Sequence, residues 1–335
     1  MSRFVKTVLL ALVIVGGTWA LLNRDQLKHP ADMISLLGEK LSAIPVSQPV
    51  KQVRPLLPPA AESEPVIRIA SFKLTGHETT INKTSRLPML LDICRRYDAI
   101  ALQGIDGRDD AWLQLLTDSL NSSNSSADYY FINDRINSDR GSMQSAILFN
   151  RKKLELDQSN WYTVNDPDDL LRREPLVGWF RTRVPNQDEA FTFTLVNIEL
   201  TPVRPDQELA YLAELFRAVR NDGRGEDDVI IAGDFNSGDR GLEPIHQQAG
   251  LTWVVSNTPT DIRNRTQYDN LVFGESATIE FTGQGGVFDF LRKYNLRLDD
   301  AAVLSERMPV WAEFSAIEGG VKRRVANEIL NSDRR

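Results

Sequence analysis

The chain is poor in the side chains that most often carry chemistry near neutral pH, with three histidines and one cysteine in 335 residues. A lone Cys94 excludes an intramolecular disulfide. Its place on the apolar face of an expected helix marks it as a buried structural thiol. His29, His77 and His246 are scattered through segments that read as surface or helix, and none offers itself as a general base. Positive charge is short as well: 39 Lys and Arg against 46 Asp and Glu give a formal net charge of -7. Such a chain has no global attraction for polyanions. A nucleic-acid partner would need a local basic groove, because phosphate neutralisation supplies most nonspecific affinity.

What is present begins with an apolar run. Residues 8–22 carry no charge, and Arg3 and Lys6 precede them. The run is longer than a usual signal-peptide core and slightly short for a full span. It reads as an uncleaved signal anchor, a transmembrane helix within residues 1–23, although Thr18-Trp19-Ala20 offers a cleavage site. The basic flank stays cytoplasmic. The chain is then a single-pass membrane protein with its domain extracytoplasmic, facing the periplasm if the membrane is a bacterial inner membrane. Met33, Ile34, Leu37, Leu41 and Ile44 recur at helical spacing, and six prolines follow between Pro45 and Pro65. Residues 24–65 are therefore expected as a juxtamembrane helix and a Pro-rich linker.

A globular domain is expected over residues 66–316. Alternating or apolar runs at 66–72, 98–103, 145–149, 191–200, 229–232, 268–273 and 309–314 read as strands, with helices at 86–97 and 209–219 and a polar loop at 121–126. Strands dominate, helices are interspersed and no repeat appears, which favours an α+β fold of two packed sheets flanked by helices. Residues 317–335 form a basic tail, with Lys322-Arg323-Arg324 and Arg334-Arg335, and read as a solvated terminus.

The stretch at 228–237 organises the rest. An apolar strand runs into Gly233-Asp234-Phe235-Asn236, so a carboxylate and a carboxamide stand where strand gives way to loop. An Asx turn needs only local hydrogen bonds and explains this much. Other segments appear in order around it. Ile69-Ala70-Ser71-Phe72, 97–103, Leu171-Arg172-Arg173-Glu174-Pro175, 196–200, Tyr268-Asp269-Asn270, Phe288-Asp289-Phe290-Leu291 and 305–310 together with it resemble the endonuclease/exonuclease/phosphatase superfamily, in its DNase I-like branch. The resemblance implies a four-layer α/β/β/α sandwich. It also implies phosphodiester hydrolysis, with Mg²⁺ held by carboxylates and a histidine to manage protons.

The same resemblance implies that much of that chemistry has changed. The first-strand Asn falls at Lys73, the principal metal-binding Glu at Gly104, and the His of the Asn-x-His strand at Glu199. The closing Ser-Asp-His becomes Ser305-Glu306-Arg307. Asp234, Asn236 and Asp269 remain as catalytic remnants. Arg173 is a phosphate contact, Arg140 belongs to the substrate-binding side, and Asp106 is a substitute metal ligand beside Asp269 if the site is active. Two functions stay open. One is a pseudoenzyme that binds or scaffolds, with a protein or a phosphate-containing ligand as partner and no cofactor expected. The other is a divergent Mg²⁺-dependent phosphodiesterase, endonuclease or phosphatase using Asp234, Asn236 and Asp269. Buried carboxylates need a counterion. Lys73 and Arg307 are accordingly expected within ion-pair reach of the acidic set.

Overall fold

A computed structural model describes residues 65–74, 86–106, 111–122, 126–134, 143–171, 173–203 and 205–319. They belong to one unit, Glu62–Arg335; a second unit, Met1–Ala61, lies wholly outside them, and with it the expected anchor, juxtamembrane helix and most of the linker. Among the described residues no helix is long and apolar enough to cross a membrane.

Period-two alternation builds two sheets. The first is assembled from β1 (Val66–Lys73), β2 (Ala99–Asp106), β3 (Tyr129–Asn133), β4 (Met143–Asn150), β12 (Phe281–Val287) and β13 (Val310–Ser315), in the order β12-β13-β1-β2-β4-β3. The second uses β5 (Leu154–Leu156), β7 (Leu176–Thr182), β8 (Thr192–Glu199), β9 (Val229–Asp234), β10 (Leu251–Trp253) and β11 (Asp269–Gly274), in the order β10-β11-β9-β8-β7-β5, with β6 (Tyr162–Thr163) also on β7. Inner faces meet in a core where Ile67, Ile69, Phe149, Phe180, Phe193, Leu195, Ile230, Leu271 and Phe314 are buried. Ring centroids of Phe180 and Phe193 lie 5.5 Å apart, and those of Phe191 and Phe193 5.1 Å apart. Each buried phenyl contributes roughly 2 kcal/mol through area removed from water.

Outer faces carry the helices. α1 (Leu87–Cys94) and α2 (Ala111–Ser122) cover the first sheet together with the short α5 (Phe290–Tyr294) and α6 (Leu298–Ala302), around Phe72, Leu90, Leu102, Trp112 and Phe290. α3 (Pro205–Arg220) and α4 (Asp239–Ala249) cover the second sheet around Val196, Leu212, Phe216 and Ile231. α3 buries Leu209, Leu212, Phe216 and Val219 at helical spacing, with Asp206 and Glu208 in its first turn and Arg217 and Arg220 in its last, matching the macrodipole. The result is helix, sheet, sheet, helix. Cys94 is buried in the first outer layer, and burial pushes its thiol up to about 12.

Three expected boundaries move. β2 continues to Asp106 across an irregularity in its pairing with β4 between Leu102 and Ile105. The loop expected from residue 121 is still helix through Ser122. The expected tail begins later, because Ile317 bridges Ala190 and the Glu318 amide donates to the Glu189 carbonyl.

Candidate functional site

β8 and β9 run parallel with Glu199 in register with Asp234, and β11 lies antiparallel to β9 with Asp269 opposite Asp234. These neighbouring strand ends place three carboxylates side by side, on the face whose other residues fill the inter-sheet core. Gly233 makes that convergence possible: a Cβ there would lie 2.0 Å from the Ile198 carbonyl oxygen. Asp234 has 0% exposure and Asp269 1%.

Cations reach the carboxylates from elsewhere in the fold. Lys73, the last residue of β1, crosses from the opposite sheet with Nζ 2.7 Å from Asp234 Oδ2 and 3.0 Å from Glu199 Oε1. Burial opposes its charge, yet Asp234 and Glu199 together hold the lysine above its ordinary range. Arg173 brings Nε to 3.1 Å from Glu199 Oε2 and donates through Nη1 to the Met143 carbonyl at 2.9 Å. Arg307 stacks over Tyr268, with its guanidinium carbon 3.7 Å from the ring centroid. Its Nη2 is 3.7 Å from Asp234 Oδ2 and its Nε 3.6 Å from Asp269 Oδ2, distances of ionic attraction without a hydrogen bond. Ser305 locks this corner: its hydroxyl donates to the Lys73 carbonyl at 2.5 Å and accepts the Arg307 amide at 2.8 Å.

The remaining contacts fix the acids. The Asn236 amide donates to Asp234 Oδ1 at 2.9 Å, and its side-chain amide donates to the Leu200 carbonyl at 2.6 Å, with Asn236 at a φ of 46°. Thr260 donates its hydroxyl to Asp269 Oδ2 at 2.8 Å, while Asp269 Oδ1 is buried without a hydrogen-bond partner. Burial and the neighbouring Asp234 push Asp269 well above the carboxylate range, against the pull of Arg307, the Thr260 hydroxyl and Lys73. A cavity of about 210 Å³ opens here, lined by Lys73, Leu74, Met143, Ser305, Glu306 and Arg307.

A family model described as Endonuclease/Exonuclease/phosphatase family matches residues 87–291. The chain belongs to this family. Among curated relatives, the deoxyribonuclease-1-like 1 of Sus scrofa is 29% identical over 261 residues, covering 74% of this chain and 81% of the relative. That of Cricetulus griseus is 28% identical over 261 residues, covering 74% and 84%. Among solved structures, a humanized D. rerio TDP2 with 14 mutations aligns at a TM-score of 0.53 and 12% identity, covering 74% of this chain and 98% of that one; this likeness is one of fold. Arg173, Glu199, Asp234, Asn236 and Asp269 lie inside the family match. Lys73 precedes it and Arg307 follows it.

The structure therefore brings together Lys73, Arg173, Glu199, Asp234, Asn236, Asp269 and Arg307. Gly104 sits beside Lys73 at a φ of 71°, where a Cβ would lie 2.4 Å from the Leu74 carbonyl oxygen. Asp106 pairs in register with Met143 at the end of β2. Glu306 is exposed at the cavity mouth. His246 is engaged at the end of α4, with Nδ1 2.8 Å from the Leu251 carbonyl oxygen. Arg140, His29 and His77 lie outside the described residues.

Asn197, Gln103, Asp134 and Tyr268 complete the site, although the sequence assigns none of them a role there. Asn197, buried on β8, donates to the carbonyls of Leu102 and Ala146 in the other sheet, each at 2.9 Å, and accepts from Gln103 Nε2 at 2.8 Å. A polar residue at an inward strand position was the available signal. Asp134 accepts the Ser145 amide at 2.9 Å, and burial pushes its carboxyl up to about 6 near Arg173 and Glu199.

Proposed function

We propose that this domain is a catalytically impaired member of its family, a pseudoenzyme that binds or scaffolds, held at a membrane by residues 8–22. The observation that carries the reading is Lys73, whose ammonium lies within 3.0 Å of both Asp234 and Glu199. Hydrolysis of the kind the resemblance implies needs Mg²⁺ on open carboxylate oxygens and an imidazole to move protons. The residues present do not fit that demand. Asp234 gives one oxygen to the Asn236 amide and the other to Lys73, and Glu199 is divided between Lys73 and Arg173. Arg307 cannot serve as a base. Two buried oxygens of these carboxylates lack a hydrogen bond, Glu199 Oε2, which is held by ion pairing to Arg173, and Asp269 Oδ1, and they are too few for a magnesium ion that takes six oxygens. In this reading Lys73, Arg173 and Arg307 hold the cleft together, and its partner is a protein or a phosphate-containing molecule met at the Arg173 and Arg307 rim.

A second reading is a divergent metal-dependent phosphodiesterase, endonuclease or phosphatase using Asp234, Asn236 and Asp269. The orphan oxygen of Asp269 favours it, as do relatives named deoxyribonucleases. Hydrolysis of DNA and small phosphodiesters in Mg²⁺ or Mn²⁺, with Asp234→Ala in parallel, separates the two. Turnover no greater than that of Asp234→Ala supports the pseudoenzyme. Metal-dependent turnover that Asp234→Ala abolishes replaces it with the hydrolase.

A further inference from the structure

A second acidic group lies at the other end of β9. Glu226, Asp227 and Asp228 precede the strand, with carboxylate oxygens all within 4.8 Å of one another. Glu280 joins them from the connection between β11 and β12, and Glu318 from beyond β13; with Glu226 they are the charges that repel the Asp228 carboxyl. Asp228 is 3% exposed and Glu280 1%. No ion pair of the described residues reaches Glu226, Asp228 or Glu280.

Charge is half of the problem, and unmatched oxygens are the other half. Glu226 is satisfied, by the Trp179 indole at 3.0 Å and the Asp228 amide at 2.9 Å. Glu280 accepts the Gly319 amide on Oε1 at 2.6 Å. Asp228 Oδ1 and Glu280 Oε2 are buried with no hydrogen-bond partner, and the Thr278 hydroxyl, buried too, is turned toward the Asp228 carboxylate, whose charge it favours, without closing a well-formed hydrogen bond. Buried polar atoms are nearly always paired, and an orphan carboxylate oxygen costs its desolvation in full. Protonation relieves repulsion: burial, with Glu280 and Glu226 beside it and against the pull of the Thr278 hydroxyl, raises Asp228 to about 8, and burial with Glu318, against the Glu280 and Gly319 amides, raises Glu280 to about 7. A cation answers both demands at once, because it cancels charge and accepts the lone pairs.

We infer that Asp228, Glu280 and Thr278, with Glu226, Asp227 and Glu318 around them, form a binding site for a hard divalent cation of the calcium type. The donor atoms are all oxygens, with no imidazole or thiolate to recruit zinc or copper. They come from three separate chain segments and mix carboxylates with a hydroxyl. Calcium accepts such numerous and irregular donors, whereas magnesium demands near-octahedral order and keeps its waters. The site is built from side chains distinct from the Lys73 cleft and does not depend on how that cleft functions.

The test uses the full chain, stripped with a chelator and then titrated with Ca²⁺, read by thermal unfolding. In parallel, Tb³⁺ serves as a luminescent calcium surrogate excited through Trp179, whose indole lies against Glu226. The expected result is a rise in Tm with Ca²⁺ and indole-sensitised Tb³⁺ emission that Ca²⁺ displaces. The double variant Asp228→Asn, Glu280→Gln should lose both responses, yet melt in chelator no lower than the parent, since repulsion is removed. Thr278→Val changes no charge and should weaken Ca²⁺ binding several-fold, which keeps the test decisive if the double variant fails to fold. Trp179→Phe should lose the sensitised emission while keeping the Ca²⁺ shift. Absence of both responses at millimolar Ca²⁺ overturns the inference, as does a Ca²⁺ shift that survives the double variant or is untouched by Thr278→Val.

Discussion

The ammonium of Lys73 lies 2.7 Å from Oδ2 of Asp234, a side chain with no solvent exposure, although 161 residues separate the two in sequence. One cation from the first sheet thereby neutralises a carboxylate of the second, across the space where the two inner faces meet. Lys73→Met should leave Asp234 and Glu199 without their shared partner and lower stability by about 3–5 kcal/mol. Asp234→Asn in the same chain should recover part of that loss. Urea unfolding of the four proteins of this cycle gives the coupling directly. A coupling near zero would show the pair to be a bystander.

Gly104 forbids any side chain where it stands. Its φ of 71° and the Leu74 carbonyl oxygen 2.4 Å from a Cβ make Gly104→Ala costly by about 2 kcal/mol or more. Gly104→Glu should cost at least as much and create no Mg²⁺-dependent rise in Tm. A stable Gly104→Glu protein that gains such a rise would return the cleft to metal chemistry.

Asn197 joins the sheets beneath the cleft through both ends of its amide. Asn197→Leu should remove three buried hydrogen bonds, to Leu102, Ala146 and Gln103, and cost about 2–4 kcal/mol in urea unfolding. Gln103→Leu combined with it should be less damaging than the sum of the two, since both polar partners are then removed together.

Asp134 supplies a pH signature. Its carboxyl is raised to about 6 in the folded chain, chiefly by burial, so the folded state keeps a proton that the unfolded state releases from about pH 4 upward. Stability should therefore fall as pH rises from about 4 to about 6, by about 2 kcal/mol for this group. Asp134→Asn should flatten that slope. Chemical denaturation at a series of pH values measures it, and an unchanged slope removes Asp134 from the account.

Attachment is testable apart from the cleft. With residues 8–22 as an uncleaved anchor, the full chain should remain with membranes through high-salt and carbonate washes. Deletion through Asn23 should release a folded domain. A mature chain beginning near Leu21 in the soluble fraction identifies a cleaved signal peptide instead.

Much of the fold was legible because its central strands are apolar and bounded by clear punctuation: β1, β2, β4, β8, β9, β11 and β13 all read directly. β12 did not, because Phe281–Val287 holds three glycines and reads as loop; it becomes a strand only by pairing with β13. α4 was hidden by Pro244 inside it and by few apolar residues; Leu242 and Ile245 are the side chains it buries. In the site, residue types at motif positions led to Lys73, Asp234, Asp269 and Arg307 and to their mutual attraction. Tyr268 beneath Arg307 and the Asn197 bridge needed three dimensions. Their partners come from distant segments, and no local pattern announces an aromatic ring under a guanidinium.

β9 is six residues long. At about 3.3 Å per residue, Asp228 just before it and Asp234 at its end stand roughly 20 Å apart. The one at the cleft faces a lysine and an arginine, while the one at the far end faces other carboxylates. A single strand thus separates carboxylates that the chain neutralises with its own cations from carboxylates for which it supplies none among the described residues, a contrast that the net charge conceals.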